Sequence, residues 1–259
     1  MNGRSTPERT RQRRPWTWLL LAGAAILLVV VLVQLRAQRA HAAVLRADPE
    51  RALADPALRR TAVAGGASVY ARACAACHGA AGKGDPRLGV PDLTDDEHLY
   101  GEGKVAEIEA IARYGIRAGD TRGWNLASMP AYATARPYKA EPIAPLTPAQ
   151  VEDQVQFLLA FTGRATDPAA VARGRQAFAG DAGCWDCHGR DAGGDAAIGA
   201  PALSDDTWLY GRDHDSLRRS IAGGRAGYSP SFARALTPAE LREVAVYVAA
   251  LAPPVKAAR

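Results

Sequence analysis

The stretch Cys74-Ala-Ala-Cys77-His78 (CAACH) returns 110 residues later as Cys184-Trp-Asp-Cys187-His188 (CWDCH), and the two together use all four cysteines of the 259-residue chain. The copying extends beyond the motif. PDLTDDEHLYG (Pro91–Gly101) matches PALSDDTWLYG (Pro201–Gly211) at the same displacement, and LTPAQ at Leu146 matches LTPAE at Leu236 at a displacement of 90. Self-similarity of this kind marks two homologous units. They are placed at 65–163 and 164–259, joined near GRATDPAAVA (Gly163–Ala172), with the longer internal loop in the first.

Each unit reads as helices. ASVYARACAACH is an Ala-rich run ending at the motif. Thr147 is a natural N-cap, Pro148 suits the first helical position and Gln150 completes a capping box; Thr237, Pro238 and Glu240 repeat the arrangement. Behind them Val151, Val155, Leu158 and Leu159 share one helix face, as do Leu241, Val244, Ala245 and Val248. Gly163 and the pair Pro253-Pro254 stop these helices. No stretch reads as a useful strand, so the expectation is an all-α protein with two small helical domains and long loops.

Units of this size bury little apolar surface, and a large cofactor would supply the missing core. On one helical turn the two cysteines stand three apart with the histidine next, so all three can face one plane. C-x-x-C-H is the attachment pattern of c-type haem: the thiols add to the vinyl groups and the imidazole reaches the iron. A zinc site wants its cysteine pairs much closer together, and a thioredoxin-like pair wants a βαβ context that is missing. Two covalently bound haems are expected, one on Cys74, Cys77 and His78, the other on Cys184, Cys187 and His188.

Each such haem keeps one axial position open, and a methionine there makes a closed electron-transfer centre of raised potential. The only methionines are Met1 and Met129. Met129, in NLASMPAY (Asn125–Tyr132), follows His78 through a long loop and is expected to ligate the first haem. The matching segment of the second unit, GRAGYSPSF (Gly224–Phe232), has Ser229 in its place. For the second haem an open or water-bound iron, His214, Tyr228 and a ligand from a partner are the alternatives.

The N-terminus carries the chain's basic character. Arg4, Arg9, Arg11, Arg13 and Arg14 face Glu8 alone in residues 1–15, which accounts for most of the net charge of +5 and leaves no basis for a nucleic-acid partner. Trp16–Leu35 then runs without a charged side chain, long enough for a transmembrane helix. Arginines outnumber those after the span, and Trp16 and Trp18 suit the interface, so the tail is expected in the cytoplasm and the rest outside it. AHA at Ala40–Ala42 offers a signal-peptidase site, but the apolar run exceeds a signal core, which favours a retained anchor. Residues 36–64 are read as a linker.

The extramembrane part resembles subunit III of cbb3-type cytochrome oxidases, the membrane-anchored dihaem cytochrome c. The resemblance rests on CAACHGAAGKG, VPDLTDDEHLYG and YGIRAGDTRGWNLASMPAY in the first unit. In the second it rests on CWDCHGRDAGG, GAPALSDDTWLYG and LTPAELREVAVYVAAL. It implies two class I cytochrome c folds, no catalytic side chains, and electron passage from other cytochromes c to the haem–copper catalytic subunit at the bacterial inner membrane. Two departures stand out: His98 where the second unit has Trp208, and Ser229 in place of a methionine. A stand-alone dihaem carrier for another redox enzyme, and an enzyme or gas sensor using an open second haem, remain as alternative readings.

Overall fold

The computed structural model describes residues 15–135 and 144–253. The basic tail, apart from Pro15, and Pro254 and Lys256 lie outside the described residues. Among these residues there are ten helices and only isolated β-bridges, so the all-α expectation holds.

Helix α1 (Pro15–Arg46) has 32 residues. At 1.5 Å per residue it spans about 48 Å, against about 30 Å for a hydrocarbon core. Its large apolar side chains from Trp18 to Leu35 are exposed, whereas Val44 near its end is fully buried. The surplus turns dock on the globular part, where His41 Nδ1 pairs with the Glu243 carboxylate. The stretch 36–64, expected as a linker, is instead mostly helix: the end of α1, then α2 (Pro49–Ala54), then the first turns of α3 (Pro56–Ala73). Asp48 and Asp55 explain the restarts. Each carboxylate accepts two backbone N–H groups as an N-cap, and a proline follows at the first helical position.

The remaining helices are α4 (Ala75–His78), α5 (Val105–Tyr114), α6 (Pro148–Ala160), α7 (Pro168–Ala179), α8 (Trp185–His188), α9 (His214–Gly223) and α10 (Pro238–Ala249). Both expected capping boxes form. Thr147 N donates to Gln150 Oε1 at 2.9 Å, Thr237 N donates to Glu240 Oε2 at 2.8 Å, and each threonine hydroxyl accepts in return. Val151, Val155, Leu158 and Leu159 are buried, as are Leu241, Val244 and Ala245, with Val248 half-buried.

The pairing of these helices differs from the simplest expectation. Helix α10, which closes the second repeat in sequence, packs on α3 and α5 of the first. Helix α6, from the end of the first repeat, packs on α7 and α9 of the second. The closing helices have changed places. One body therefore consists of α2 to α5 with α10 and the end of α1; the other consists of α6 to α9. Each has a close helix crossing over a bare glycine. A Cβ on Gly66 would lie 2.2 Å from Glu243 O and 2.6 Å from Tyr247 Cβ; one on Gly174 would lie 2.1 Å from Asp153 O and 2.8 Å from Phe157 Cβ.

Charge on the closing helices agrees with the exchange. Arg242 of α10 donates to buried Glu109 of α5, which also accepts from Arg113 at 2.6 Å. Glu152 holds the matching place on α6, and it meets His214 Nε2 at 2.9 Å and the field of Arg218, both on α9. Aligned on their C-cap glycines, Gly115 and Gly224, α5 and α9 place Arg218 opposite Glu109 in the repeat. Had each helix closed its own repeat, Glu152 would face Glu109 and Arg242 would face Arg218. Like charges at those positions disfavour that arrangement.

The chain passes between the bodies along two crossed segments. Ile116 and Ser229 exchange backbone hydrogen bonds at 2.9 and 3.1 Å, and Met129 and Arg225 do so at 2.9 Å each way. Arg117 ties the crossing together from a left-handed backbone (φ 51). Its guanidinium donates to Tyr100 Oη at 2.7 Å, to the Ala127 carbonyl at 2.6 Å and to the Gly227 carbonyl.

Candidate haem-binding sites

In both motifs the first cysteine caps a single helical turn. His78 N donates to Cys74 O at 3.0 Å, and His188 N donates to Cys184 O at 3.0 Å. A left-handed glycine ends each turn, Gly79 (φ 75) and Gly189 (φ 73). Four cysteines in disulfides would leave no thiol for a cofactor, but none of Cys74, Cys77, Cys184 and Cys187 is in a disulfide.

The histidines are oriented by a feature that sequence reasoning missed. His188 Nδ1 lies 2.9 Å from Pro201 O, and His78 Nδ1 lies 3.4 Å from Pro91 O. A carbonyl can only accept, so Nδ1 carries the proton and the Nε2 lone pair is left for a metal. Burial pushes both imidazoles below the usual histidine value, partly offset by these hydrogen bonds, which favours the neutral form. The loop supplying each carbonyl is held to its motif. Gly84 N donates to His78 O and Gly194 N to His188 O, both at 2.9 Å. The signal was present as a proline thirteen residues after each histidine. Paired thiols outside any disulfide beside an oriented imidazole are the donor set that covalent haem requires.

Met129 packs on the core formed by α6, α7 and α9, together with Cys184, Trp185, Leu203 and Trp208. Ser229 lies across from Ile116, and nearby Phe232 packs with Cys74, Ala75 and Leu93 on the other core. Met129 thus packs with the body that holds the second motif, on the same side as α6. Among the alternatives for the second site, His214 is engaged by Glu152 and Asp215 at the start of α9. Tyr228 is 69 % exposed. His98 and Trp208 both line a cavity of about 320 Å³ between the repeats.

Comparison with known proteins bears on these motifs. Residues 63–162 match the family model for cytochrome c, and residues 169–248 match that for cytochrome c oxidase, cbb3-type, subunit III. Both repeats are cytochrome c domains. A cytochrome c domain carries covalently bound haem c, and the second of these is of the cbb3-type subunit III family.

Full-length relatives agree. The chain is 36% identical over 198 residues to the cbb3-type cytochrome c oxidase subunit FixP of Rhizobium etli, covering 76% of this chain and 64% of that one. It is 38% identical to subunit CcoP of Azospirillum brasilense (72% and 61%) and 38% identical to CcoP of Rhodobacter capsulatus (76% and 65%). The chain thus spans just under two thirds of the length of these relatives. A chain of the reducing HAO-like complex of Kuenenia stuttgartiensis aligns at 20% identity with a TM-score of 0.20, too low to bear on the fold. The cytochrome c domains follow an apolar helix, α1, that is long enough to cross a membrane.

Proposed function

We propose that this chain is a membrane-anchored dihaem cytochrome c that delivers electrons to a cbb3-type terminal oxidase. The observation that carries the reading is the repeated site: two Cys–Cys–His turns without a disulfide, each with its imidazole aimed by a proline carbonyl. Both sit in domains whose relatives bear the names of cbb3 oxidase subunits. Cys74, Cys77 and His78 hold one haem; Cys184, Cys187 and His188 hold the other. When bound, each haem supplies a one-electron iron centre.

The protein's own contribution is positioning. Cys74, Cys77, Cys184 and Cys187 fix the porphyrin edge, and His78 and His188 present neutral Nε2. Met129 furnishes a thioether that favours the reduced state of the centre it ligates. No side chain acts as acid, base or nucleophile in this reading. Electrons arrive from other c-type cytochromes and leave to the haem–copper catalytic subunit. The basic tail lies in the cytoplasm and both haem domains in the periplasm, at the bacterial inner membrane.

The test is haem content and company. The full chain purified from membranes should contain two haems by pyridine haemochrome assay. Cys74→Ala with Cys77→Ala, or Cys184→Ala with Cys187→Ala, should each leave one. Affinity purification should also recover a haem–copper subunit. Haem content unchanged by either pair of substitutions, or a complex with a different redox enzyme, would refute the respective half of the proposal.

A further inference from the structure

We propose that Met129, although encoded in the first repeat, ligates the second haem. The first haem then has no methionine and is the one that takes an intact small exogenous ligand such as carbon monoxide. This rests on the dihaem reading above and reverses the assignment that sequence order suggests.

Three observations carry it. First, Met129 is joined to Arg225 by two backbone hydrogen bonds of 2.9 Å, and Arg225 lies just past the end of α9 in the second repeat. The next residues stay on that body: Tyr132 N donates to Ile221 O at 3.0 Å, and Leu146 N donates to Tyr132 O at 2.8 Å. Second, the Met129 side chain packs on the core that includes Leu217 and Ile221, the same core against which Cys184 and Trp185 of the second motif pack. Third, the first body presents the pseudosymmetric counterpart, in which Ser229 is bonded to Ile116 and Phe232 N donates to Ala112 O at 3.0 Å. Each loop thus lies over the other repeat's motif, and the one methionine has gone with its loop.

The corresponding loop on the first body has no methionine to offer. Ser229 stands at the place equivalent to Met129, and a serine hydroxyl is a poor ligand for haem iron. Tyr228 is turned out to solvent, as is Ser128 at the matching position. His214 belongs to the second body and is held there by Glu152. The single Met–His site is consequently the closed one, and the iron on the Ser229 side, left without a methionine, takes a ligand that binds intact and without electron transfer.

The test uses full-length chains carrying one haem each. In the chain lacking Cys74 and Cys77, the ferric protein should keep the near-infrared methionine-to-iron charge-transfer band, and the ferrous protein should ignore carbon monoxide. In the chain lacking Cys184 and Cys187, the band should vanish and carbon monoxide should bind at about one per chain. The opposite pattern, or a band in both chains or in neither, overturns the proposal. A chain containing no haem at all would instead refute the dihaem reading.

Two further measurements serve if a single-haem chain fails to fold. In the reduced wild-type protein, the Met129 methyl resonance should show cross-peaks to Leu203 or Trp208; cross-peaks to Leu93 would overturn the assignment. In Ser229→Met, carbon monoxide binding should be lost and a second methionine–iron band should appear; unchanged carbon monoxide binding there would also count against it.

Discussion

Met129 and Arg225 donate a backbone hydrogen bond to each other's carbonyl, both at 2.9 Å. That two-bond bridge links the loop of one repeat to the helix end of the other. Its counterpart, Ile116 with Ser229, does the same in reverse. Gly115 (φ 76) and Gly224 (φ 70) make both crossings possible. A Cβ on either would come within 2.5 Å of the opposing carbonyl, that of Ser229 or Met129 respectively. Two homologous domains are thereby closed by each other's last helix.

The charge pairs give a direct test of that exchange. A double-mutant cycle of Glu109→Gln with Arg242→Gln should show a coupling of about 0.5–3 kcal/mol in denaturant unfolding. The cycle of Glu109→Gln with Glu152→Gln should be additive within about 0.5 kcal/mol, as expected for side chains in different bodies. Coupling in the second cycle and none in the first would mean that each repeat closes itself.

Removing Glu109 outright tests the base of the anchor helix. Glu109 and Arg242 are both nearly buried, and Arg242 also donates to Ala47 O at 2.7 Å just beyond α1. Glu109→Ala leaves that guanidinium without its carboxylate, and the expected loss is about 3 kcal/mol. Amide exchange in α10 and at the end of α1 should rise together. A loss below about 0.5 kcal/mol would contradict the burial argument.

The crossing glycines should be intolerant of even one carbon. In Gly66→Ala the new methyl meets the backbone oxygen of Glu243, which cannot rotate away. Destabilisation of about 1–3 kcal/mol is expected. Faster amide exchange should appear in α3 and α10 but not in α6. Gly174→Ala should give the reverse, with α6 and α7 affected.

Stability of the second body should depend on the charge of His214. Its hydrogen bonds to Glu152 and then to Asp215 raise its pKa in the folded state above the ordinary value. A raised pKa means that the stabilisation is complete below the unfolded histidine value, about 6.5, and is lost as pH rises through the folded value. The melting temperature of this body should therefore fall slightly across that window. In Glu152→Gln the pH-dependent drop should be smaller; an equal drop would place the titration elsewhere.

Much of the site was legible before the fold. The motifs, the capping boxes and the apolar faces of α6 and α10 could be read residue by residue, because each depends on neighbours within about one turn of chain. The carbonyls of Pro91 and Pro201 were visible as repeated prolines, but their role was not, since it depends on a loop folding back over its histidine. The supposed linker hid its helices for a different reason: Asp48 and Asp55 are capping signals easily passed over in a charged stretch.

The sequence by itself determined that there are two cytochrome c repeats, an apolar span ahead of them, and one methionine between two candidate iron sites. Only the tertiary structure decided which body that methionine packs on. Helices α6 and α10 share a capping box and an apolar face, so by local chemistry either could close either domain and bury a similar surface. The choice lies in contacts far apart in the chain, chiefly Arg242 with Glu109 and Glu152 with His214. Periodicity within one repeat carries no information about them.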